Sequence, residues 1–496
     1  MKLSTLIQGL AVEKVEGNLE IEIKGLAQNS KFVQPGDLFV SIVGFVADGH
    51  DYIAEAISKG AKAVLVQKEV PINSDITTIL VEDTRKALAF LANRFYHYPS
   101  RKLKLIGITG TNGKTTVAYM LKAILEEAGK KIGLLTTVEN IVNNHSTISR
   151  MTTIESLDLQ KLLEQMSASQ TEYAIMEVSS HALSLSRVEG CDFDIAIFTN
   201  ISDEHFEIHN NFNNYLESKK RLFLSLNESC KDVCSKKGII NIDEPFTQEF
   251  ANCLKDGVEL LTYGIKEKGM FSARNIDLGL KETTFIAETP KGEAEVLLNM
   301  GGLYNVYNGL AAIAAAMSQG ISLDIIVSAF KKFSGAPGRY KILNYGQPYT
   351  IIIDFAHNFH GLEHILKSLK SLSKNRLITI FGHGGERDNR VRKKMGQVVG
   401  SYSDYSIVTA DNPRSEDPAE ISKEIERGFQ EVENCHYRII LDRVEAIKYA
   451  LEIARENDIV LIAGKGPEKE QVYHNQIIYH NDEEVVHQIL TEKDKG

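Results

Sequence analysis

The chain has 496 residues, a formal net charge of -10, 43% hydrophobic residues and 25% charged residues. This composition is typical of a soluble globular protein, and the length is too great for one ordinary core. The negative charge argues against non-specific binding to DNA or RNA, because their phosphates favour a basic surface. Residues 1–10 make a poor signal peptide, and no run approaches the roughly 20 apolar residues that span a bilayer. We therefore expect a cytoplasmic protein.

Apolar strand-like runs alternate with longer helical patterns through almost all of the sequence. This alternation is the signature of α/β architecture with mostly parallel sheets. Two segments rich in turn-forming residues, 98–101 and 334–338, interrupt the alternation. The sequence therefore predicts three α/β domains, at residues 1–100, 101–335 and 336–496, the central one like a P-loop ATPase and the last one Rossmann-like.

A glycine-rich segment follows the first strand of the central domain. After a predicted helix at 84–96, residues 103–109 read as a buried strand and residues 117–128 as an amphipathic helix. Between them, glycines let backbone N–H groups converge on phosphate oxygens, and the helix N-terminus adds a favourable dipole. The ammonium of Lys114 can reach the β- and γ-phosphates, and the hydroxyl of Thr115 can ligate Mg²⁺.

The segment differs from the usual pattern G-x-x-x-x-G-K-[ST] at one position. Ile108 stands where the first glycine would fall. The order of strand, glycine turn, Gly-Lys-Thr-Thr and helix is retained, so we predict an ATP-binding loop. Its predicted nucleotide-binding residues are Gly110, Thr111, Asn112, Gly113, Lys114, Thr115 and Thr116.

Two further strands of the central domain end in polar residues. Residues 173–176 read as a buried strand that runs into Glu177, and residues 194–200 as a strand that leads to Glu204 and His205. A carboxylate just past a strand end, in the same domain as a phosphate loop, is well placed to hold Mg²⁺. Because both strand ends point to one crevice, we favour a metal site there over a solvated glutamate.

The C-terminal domain has polar loops after three predicted strands, at 377–381, 406–409 and 459–463. Ligands of open α/β sheets bind beyond the carboxyl ends of the strands. Guanidinium groups bind carboxylates and acidic groups hold ammonium groups, so arginines and acids in these loops suit a zwitterion. Among them are Arg387, Asp411, Arg414 and Glu468.

The phosphate loop resembles the variant loop G-T-x-G-K-[TS] of the Mur ligase family, and the resemblance continues through all three predicted domains. It implies a ligase that uses ATP to activate a carboxylate as an acyl phosphate, which an amine then attacks. The cofactors implied are ATP and Mg²⁺. The resemblance implies catalytic roles for Lys114, Glu177, His205 and Lys219, and metal ligation by Thr115, Glu177, His205 and, if it is N-carboxylated, Lys219.

The same resemblance implies further nucleotide contacts. Residues 302–308 are similar to the family segment whose asparagine meets adenine, which implies Asn305. Arg339 resembles a phosphate-contacting arginine at a domain junction, and Asp354 resembles the ribose-binding aspartate. Phe359 stands where relatives usually have proline, so the loop before it departs from the family pattern.

The N-terminal residues 34–40 and 48–50 resemble the uridine-binding domain of the family members that add the third peptide residue. These members act on a UDP-N-acetylmuramoyl dipeptide. The residues implied to hold this substrate are Ser30, Thr152, Thr153, Ser179 and Arg187.

The Asp-Asn-Pro-Arg segment at 411–414 matches the motif of members that add meso-2,6-diaminopimelate. Arg414 can pair with the distal carboxylate of this amino acid, which lysine lacks. Pro467 replaces the histidine of the family's Gly-Lys-Gly-His-Glu. The amino-acid-binding residues implied are Arg387, Asp411, Asn412, Arg414, Gly464 and Glu468.

Two alternatives stay open. Several departures from the family pattern are compatible with a divergent member that adds L-lysine or another amine, or that acts on another acceptor. These departures are Asn29, Lys31, Ile154, Phe359 and Pro467. The other alternative is a non-catalytic nucleotide-binding regulator, which would not require the whole metal constellation. The expected partners are small-molecule substrates, without nucleic acid or membrane, for a chain that acts as a monomer.

Overall fold

The computed structural model describes residues 1–45, 47–72, 75–202, 211–228, 230–231, 236–474 and 476–493. In these residues the chain forms three successive sheets with helices packed on them, followed by a two-stranded hairpin. The mixed α/β architecture that the alternating pattern predicts is confirmed. No helix within the described ranges is both long enough and apolar enough to cross a membrane.

The N-terminal unit is built on a five-stranded sheet. Its strands are β1 (Lys14–Glu16), β2 (Gly25–Ala27), β3 (Asp37–Val40), β4 (Ala63–Val66) and β5 (Thr77–Leu80), and its helices are α1 (Leu3–Leu6), α2 (Ile53–Ser58) and α3 (Thr84–Phe95). The order is β1-β5-β4-β3-β2, with β1 antiparallel to β5 and the other neighbours parallel. Every residue of β3 and β4 is buried, as expected for parallel strands with both faces covered.

The central unit is built on an eleven-stranded sheet of order β16-β15-β14-β13-β12-β11-β6-β10-β7-β8-β9. Its strands are β6 (Lys104–Thr109), β7 (Ile132–Leu135), β8 (Glu139–Val142), β9 (His145–Ile148), β10 (Tyr173–Glu177), β11 (Ile195–Phe198), β12 (Lys237–Asn241), β13 (Glu259–Gly264), β14 (Phe271–Leu278), β15 (Thr283–Thr289) and β16 (Gly292–Leu298). Its helices are α4 (Lys114–Glu127), α5 (Ser156–Ala168), α6 (Ser180–Ser184), α7 (Phe212–Ser225), α8 (Thr247–Ala251), α9 (Leu303–Ser318) and α10 (Leu323–Lys332). The strands from β7 to β14 in this order are parallel, and both edges of the sheet are extended by antiparallel strands.

The C-terminal unit has a six-stranded sheet of order β17-β18-β22-β19-β20-β21, parallel except between β17 and β18. The strands, including the hairpin, are β17 (Lys341–Leu343), β18 (Thr350–Asp354), β19 (Leu377–Phe381), β20 (Tyr405–Val408), β21 (Tyr437–Ile439), β22 (Ile459–Ala463), β23 (Glu470–Tyr473) and β24 (Gln476–Tyr479). The helices are α11 (Phe359–Leu372), α12 (Arg390–Tyr402), α13 (Pro418–Phe429), α14 (Arg443–Ile453) and α15 (Asp482–Lys493).

Two predicted helices begin earlier than their apolar patterns. The helix predicted at 117–128 begins at Lys114, directly after Gly113, whose φ of 88° ends the loop. The sequence from Tyr215 onward also predicts a helix, and this helix begins at Phe212, because the side chain of Asn211 accepts a hydrogen bond from the Asn214 amide and caps it. A side-chain cap thus sets the start of α7, whereas the left-handed Gly113 precedes α4 without one.

The topology brings three strand ends of the central sheet together. Strand β6 lies between β10 and β11, and both pair with it in parallel. The segments that follow these strands, beginning at Gly110, Val178 and Thr199, therefore leave the sheet at one edge. The central and C-terminal units also share a continuous apolar core, to which Ala336 and Tyr340 contribute at their junction.

Candidate active site

The phosphate loop adopts a backbone shape that two glycines make possible. Gly110 and Gly113 have φ values of 148° and 88°, which residues with a Cβ atom rarely adopt. A Cβ on Gly110 would also collide with the Thr199 hydroxyl, and one on Gly113 with the amide oxygen of Asn308. Position 108 needs no glycine, because Ile108 lies inside β6 and is fully buried.

The end of the neighbouring strand β11 braces this loop. The Thr111 amide donates to the Asn200 carbonyl at 2.8 Å, and the Asn112 amide donates to the Asn200 side chain at 2.9 Å. In return, the Thr199 hydroxyl donates to the Asn112 carbonyl at 2.7 Å. Thr199 and Asn200 were not among the predicted site residues. Their position at the end of a strand beside β6 is the signal that could have found them.

Two lysine ammonium groups lie at the phosphate loop. Nζ of Lys114 donates to the carbonyls of Gly110 and Thr111 at 2.9 and 2.8 Å. Nζ of Lys219 also donates to the Gly110 carbonyl at 2.9 Å, although Lys219 comes from α7 and is only 1% exposed. The Tyr215 ring lies 4.4 Å below this ammonium, and its hydroxyl lies 3.0 Å from the Thr111 hydroxyl. The structure thus brings both predicted lysines to one loop.

Glu177 lies directly against the start of α4. The Thr115 hydroxyl donates to Oε1 of Glu177 at 2.9 Å, and the Thr137 amide donates to the same oxygen at 3.0 Å. The Thr137 hydroxyl lies 3.0 Å from Oε2, and the carboxylate is 1% exposed. Thr137, in the turn after β7, was not predicted, because nothing in its local sequence indicates that it faces a carboxylate 40 residues away.

A hydroxyl beside a buried carboxylate is an oxygen donor set that suits Mg²⁺. Thr115 and Glu177 supply such a pair, so the residues present fit the predicted metal. His205, the other predicted protein ligand, lies outside the described residues. Within the described ranges, no three His, Cys, Asp or Glu side chains converge on one point.

A residue at the junction with the C-terminal unit also contacts the phosphate loop. Nη2 of Arg339 donates to the Thr115 hydroxyl at 3.2 Å, and its guanidinium carbon lies 4.3 Å from the centroid of the Phe355 ring. The carboxylate of Asp354 accepts hydrogen bonds from the amides of Tyr340 and Ala356 at 2.7 and 2.8 Å. Burial raises the pKa of Asp354, while the nearby Arg339 opposes that rise. Arg339 thus connects the third domain to the phosphate loop.

The side chain of Asn305, the predicted adenine contact, forms hydrogen bonds with residues at the start of its own helix. Its Nδ2 donates to the Gly301 carbonyl at 2.7 Å, and its Oδ1 accepts from Nδ2 of Asn308 at 3.1 Å. Asn308, one turn later on α9, is the residue whose side chain touches the phosphate loop at Gly113. Contact of Asn305 with adenine stays a prediction.

Three of the residues predicted to hold the nucleotide-linked peptide lie against β10. The Thr153 hydroxyl donates to the Glu177 carbonyl at 2.9 Å and accepts from the Ser179 amide at 3.0 Å. Arg187 donates to the Thr153 carbonyl at 3.0 Å and pairs with Glu155 at 2.7 Å. These contacts bring Thr153, Ser179 and Arg187 to the edge that holds Glu177.

Thr152 also lies at this edge, whereas Ser30 does not contact it. The hydroxyl of Thr152 lies 3.2 Å from that of Thr137. The Ser30 hydroxyl is in the N-terminal unit, is buried, and donates to Oε2 of Glu55 at 2.6 Å. The structure therefore does not show this hydroxyl open to a ligand, and its contact with uracil stays a prediction.

One part of the predicted amine site is a hydrogen-bonded cluster of two loops. Nδ2 of Asn412 donates to Oε2 of Glu468 at 2.9 Å. Nζ of Lys465 donates to both, at 3.1 Å to Oδ1 of Asn412 and at 2.8 Å to Oε2 of Glu468. The hairpin closes the cluster, because the Val472 amide donates to Oδ1 of Asn412 at 3.0 Å.

The two predicted arginines approach the same glycine. A Cβ on Gly384 would lie 3.1 Å from Nη1 of Arg414 and 3.6 Å from Cγ of Arg387. Arg414 has a left-handed φ of 52°, held by a hydrogen bond from its amide to the Val472 carbonyl at 3.0 Å. Burial and the neighbouring Arg387 lower the pKa of Arg414. Because Arg387 acts on this pKa through its charge, the two cations lie within electrostatic reach of each other, which makes this spot favourable for a carboxylate.

Asp411 and Gly464 lie together at the ends of β20 and β22. A Cβ on Gly464, whose φ is 110°, would lie 2.6 Å from Oδ2 of Asp411. This carboxylate oxygen is buried and has no hydrogen-bond partner among the described residues. The six predicted amino-acid-binding residues thus lie in three pairs, each of which includes one residue of the 411–414 segment.

Arg392 is a functional neighbour that the sequence did not indicate. It is 2% exposed, donates to Nδ1 of His383 at 3.2 Å, and pairs with Glu416 and Glu424 at 2.8 and 2.9 Å. Burial and Arg392 lower the pKa of His383 to about 4. The amide of Glu386 also donates to Glu416. Arg392 thus connects the loop of Arg387 to the loop of Arg414. The sequence did not indicate this role, because the basic residues of the segment 387–394 resemble a solvated surface.

Fold and site together define the class of protein: a three-domain α/β enzyme whose phosphate loop lies at the junction with the C-terminal sheet. Residues 22–96 match the family model described as Mur ligase family, catalytic domain; residues 108–316 match the Mur ligase middle domain; and residues 338–466 match the Mur ligase, glutamate ligase domain.

Similar proteins agree with these matches. The UDP-N-acetylmuramoyl-L-alanyl-D-glutamate--2,6-diaminopimelate ligase of Syntrophomonas wolfei is 40% identical over 497 residues, which cover 100% of both chains. A solved structure of a ligase of the same name superposes with a TM-score of 0.69 at 27% identity, covering 100% of this chain and 99% of that chain. The MurF ligase of Thermotoga maritima in complex with ADP superposes with a TM-score of 0.63 at 20% identity, covering 95% and 98%. The chain belongs to the Mur ligase family, and it is an ATP-dependent ligase that forms amide bonds.

Proposed function

We propose that this ligase adds meso-2,6-diaminopimelate to UDP-N-acetylmuramoyl-L-alanyl-D-glutamate, in the cytoplasmic synthesis of peptidoglycan precursors. The observation that carries the proposal is the approach of Arg387 and Arg414 to one glycine, beside Asn412 and Glu468. This arrangement offers one place for a carboxylate and another for an ammonium group. It occurs in a chain that is 40% identical along its whole length to a ligase named for this reaction.

Each domain has its own part in the proposal. Residues 1–100 bind the uridine end of the acceptor, residues 101–335 bind ATP and the peptide end, and residues 336–496 bind the amine. The hydrogen bond between Arg339 and Thr115 supports this division, because it joins the C-terminal unit to the phosphate loop.

The first chemical step is phosphoryl transfer from ATP to the γ-carboxylate of the D-glutamyl residue. Lys114 leaves its two loop carbonyls, 2.9 and 2.8 Å away, and neutralises charge on the transferring phosphoryl group. Mg²⁺ would be held by Thr115 and Glu177, together with His205 and an N-carboxylated Lys219, and when bound it would neutralise phosphate charge. Arg339, at 3.2 Å from Thr115, adds a further cation.

The second step forms the amide. The neutral amine attacks the acyl carbon, a C–N bond forms, the C–O bond to the phosphoryl group breaks, and phosphate leaves with the electron pair. The amine loses one proton in this step, and the departing phosphate takes it up. Closure of the C-terminal domain on the phosphate loop excludes water, which would otherwise hydrolyse the acyl phosphate.

Selection of the amine rests on the second carboxylate of diaminopimelate. We assign this carboxylate to Arg414 and Arg387, and the neighbouring ammonium group to the carboxylate of Glu468, which Asn412 holds through its Nδ2. Lysine has no carboxylate at this end, so it would leave the partly buried guanidinium of Arg414 without a charged partner. A site built around a charged group rejects an analogue that lacks it.

The proposal is tested by measuring phosphate release from ATP with the UDP-linked dipeptide and either meso-diaminopimelate or L-lysine. We expect release that requires the dipeptide, prefers diaminopimelate, and collapses in Arg414→Ala but not in the exposed Lys394→Ala. Preference for lysine would identify the divergent family member and remove the role given to Arg414. No release with either amine would contradict the proposal and favour a nucleotide-binding regulator.

A further inference from the structure

We propose that Lys465 is a positioning residue that fixes the orientation of Asn412 and Glu468, and thereby sets the affinity for the amino-acid substrate. The inference rests on the proposed function of this sheet edge as the amine site. Lys465 follows Gly464 at the end of β22, and its side chain is 0% exposed. A lysine is almost never fully buried unless it is paired, so its partners account for its place here.

The partners of Lys465 are Glu468, whose carboxylate is assigned to the substrate ammonium, and Asn412, which donates to that carboxylate. Its Nζ lies 3.1 Å from Oδ1 of Asn412 and 2.8 Å from Oε2 of Glu468. The two acceptors belong to different loops, one after β20 and the other after β22. A single ammonium group therefore joins the two halves of the amine site, and the charge-assisted bond to Glu468 is of the stronger kind.

Lys465 also decides which way the Asn412 amide faces. Oδ1 of Asn412 accepts from Lys465 and from the Val472 amide, the latter at 3.0 Å. A flipped amide would place its NH₂ group against these two donors and lose both bonds. The observed orientation turns Nδ2 toward Oε2 of Glu468, at 2.9 Å.

Glu468 is held in turn by one of its two carboxylate oxygens. Oε2 receives both Lys465 and Asn412, whereas Oε1 has no hydrogen-bond partner among the described residues. The side chain is 38% exposed. The buried lysine thus immobilises Oε2 of Glu468 and leaves Oε1 available to a ligand. A rigid site presents a carboxylate to an ammonium group in this way.

The test is Lys465→Met, which keeps an unbranched side chain of similar length and removes the charge and the donors. The matched control is Lys469→Met, at an exposed lysine four residues further along. In the full-length enzyme we expect the KM for diaminopimelate to rise about 10- to 100-fold, the range typical when a partner that orients a binding group is lost. The KM values for ATP and for the UDP-linked dipeptide should stay within about twofold, and Lys465→Arg should recover part of the loss.

A double-mutant cycle separates positioning from a general effect on folding. If Lys465 acts through its two partners, Lys465→Met should change the amine KM by less than about threefold in an Asn412→Ala, Glu468→Met background. That background removes the carboxylate charge and both acceptors, so the buried lysine is no longer needed there to balance a charge. An unchanged amine KM in the single variant, or an equal loss in both backgrounds, would overturn the proposal.

The readout also separates this inference from the proposed function. If the wild-type enzyme incorporates a different amino acid, the identity of the amine is wrong, but the KM for that amino acid should still respond to Lys465→Met. If the wild-type enzyme uses diaminopimelate and the variant lowers kcat or the ATP affinity instead of the amine affinity, the function stands and the role of Lys465 does not.

Discussion

The phosphate loop and the amine site are built in different ways. The phosphate loop is seven consecutive residues, shaped by Gly110 and Gly113 and by backbone hydrogen bonds to the next strand. The amine site joins three loops at 383–388, 411–416 and 464–468 through buried side chains such as Lys465 and Arg392. A contiguous loop concentrates charge on one group of the nucleotide, whereas a dispersed cluster distributes recognition over several side chains. Changes in the first region should therefore stop the reaction, and changes in the second should alter which amine is used.

The largest effect is expected at the phosphate loop. Lys114→Ala removes a cation that neutralises the transferring phosphoryl group, and we expect kcat to fall about 1,000-fold with every amine. Phosphate release at saturating substrates measures this change. The matched control is Lys122→Ala on the same helix, which loses only a partly exposed pair with Glu126. A loss of kcat that differs between amines would contradict the separate roles of the phosphate loop and the amine site.

The next effect is expected at Glu177. Glu177→Gln keeps the size of the side chain but removes the charge that would hold Mg²⁺, and we expect roughly a 100-fold loss of kcat/KM. Raising the Mg²⁺ concentration should recover part of the activity, and chelation of divalent cations should abolish turnover by the unaltered enzyme. If the variant responds to Mg²⁺ as the wild-type enzyme does, Glu177 is not a metal ligand.

A smaller and more selective effect is expected at Arg414. A hydrogen bond to a charged group contributes about 1.5–3 kcal/mol, so Arg414→Ala should lower kcat/KM for diaminopimelate about 10- to 100-fold. The value for L-lysine, which lacks the second carboxylate, should change by less than about threefold. Equal losses for both amines would show that Arg414 supports the loop and does not select the substrate.

The smallest effect is expected where loops are tied together at a more exposed position. Glu416 is 36% exposed and pairs with Arg392, so Glu416→Gln should cost about 1 kcal/mol and raise the amine KM about fivefold, without changing the KM for ATP. The hydrogen bond from Arg392 lowers the pKa of Glu416. The stabilisation by this ion pair is therefore fully present at neutral pH, and it is lost as the pH falls from about 4, the ordinary pKa of glutamate, through the lowered pKa of Glu416 in the folded protein. A thermal unfolding temperature that falls less in the variant than in the wild-type enzyme over that range would confirm this sign.

The two regions also differ in what could be predicted from the sequence. Gly113, Lys114 and Thr115 are adjacent in the sequence, so one local motif predicts that all three bind phosphate. Thr137 and Lys465 could not be assigned in the same way. Thr137 contacts Glu177, which lies 40 residues away in the sequence, and Lys465 contacts Asn412, which lies 53 residues away. The sheet edges show the same limit: the parallel interior strands read as continuous apolar runs, but at the antiparallel edge β8 is mostly half-buried and β9 is exposed along its whole length.

The measurement that tests the central claim most directly is a competition between meso-diaminopimelate and L-lysine at equal concentrations, with ATP, Mg²⁺ and UDP-N-acetylmuramoyl-L-alanyl-D-glutamate. The masses of the products report the ratio of the two kcat/KM values in one experiment. We expect the diaminopimelate product in at least about 100-fold excess, and a loss of most of that excess in Arg414→Ala. A dominant lysine product, or no product while ATP is bound, would contradict the account.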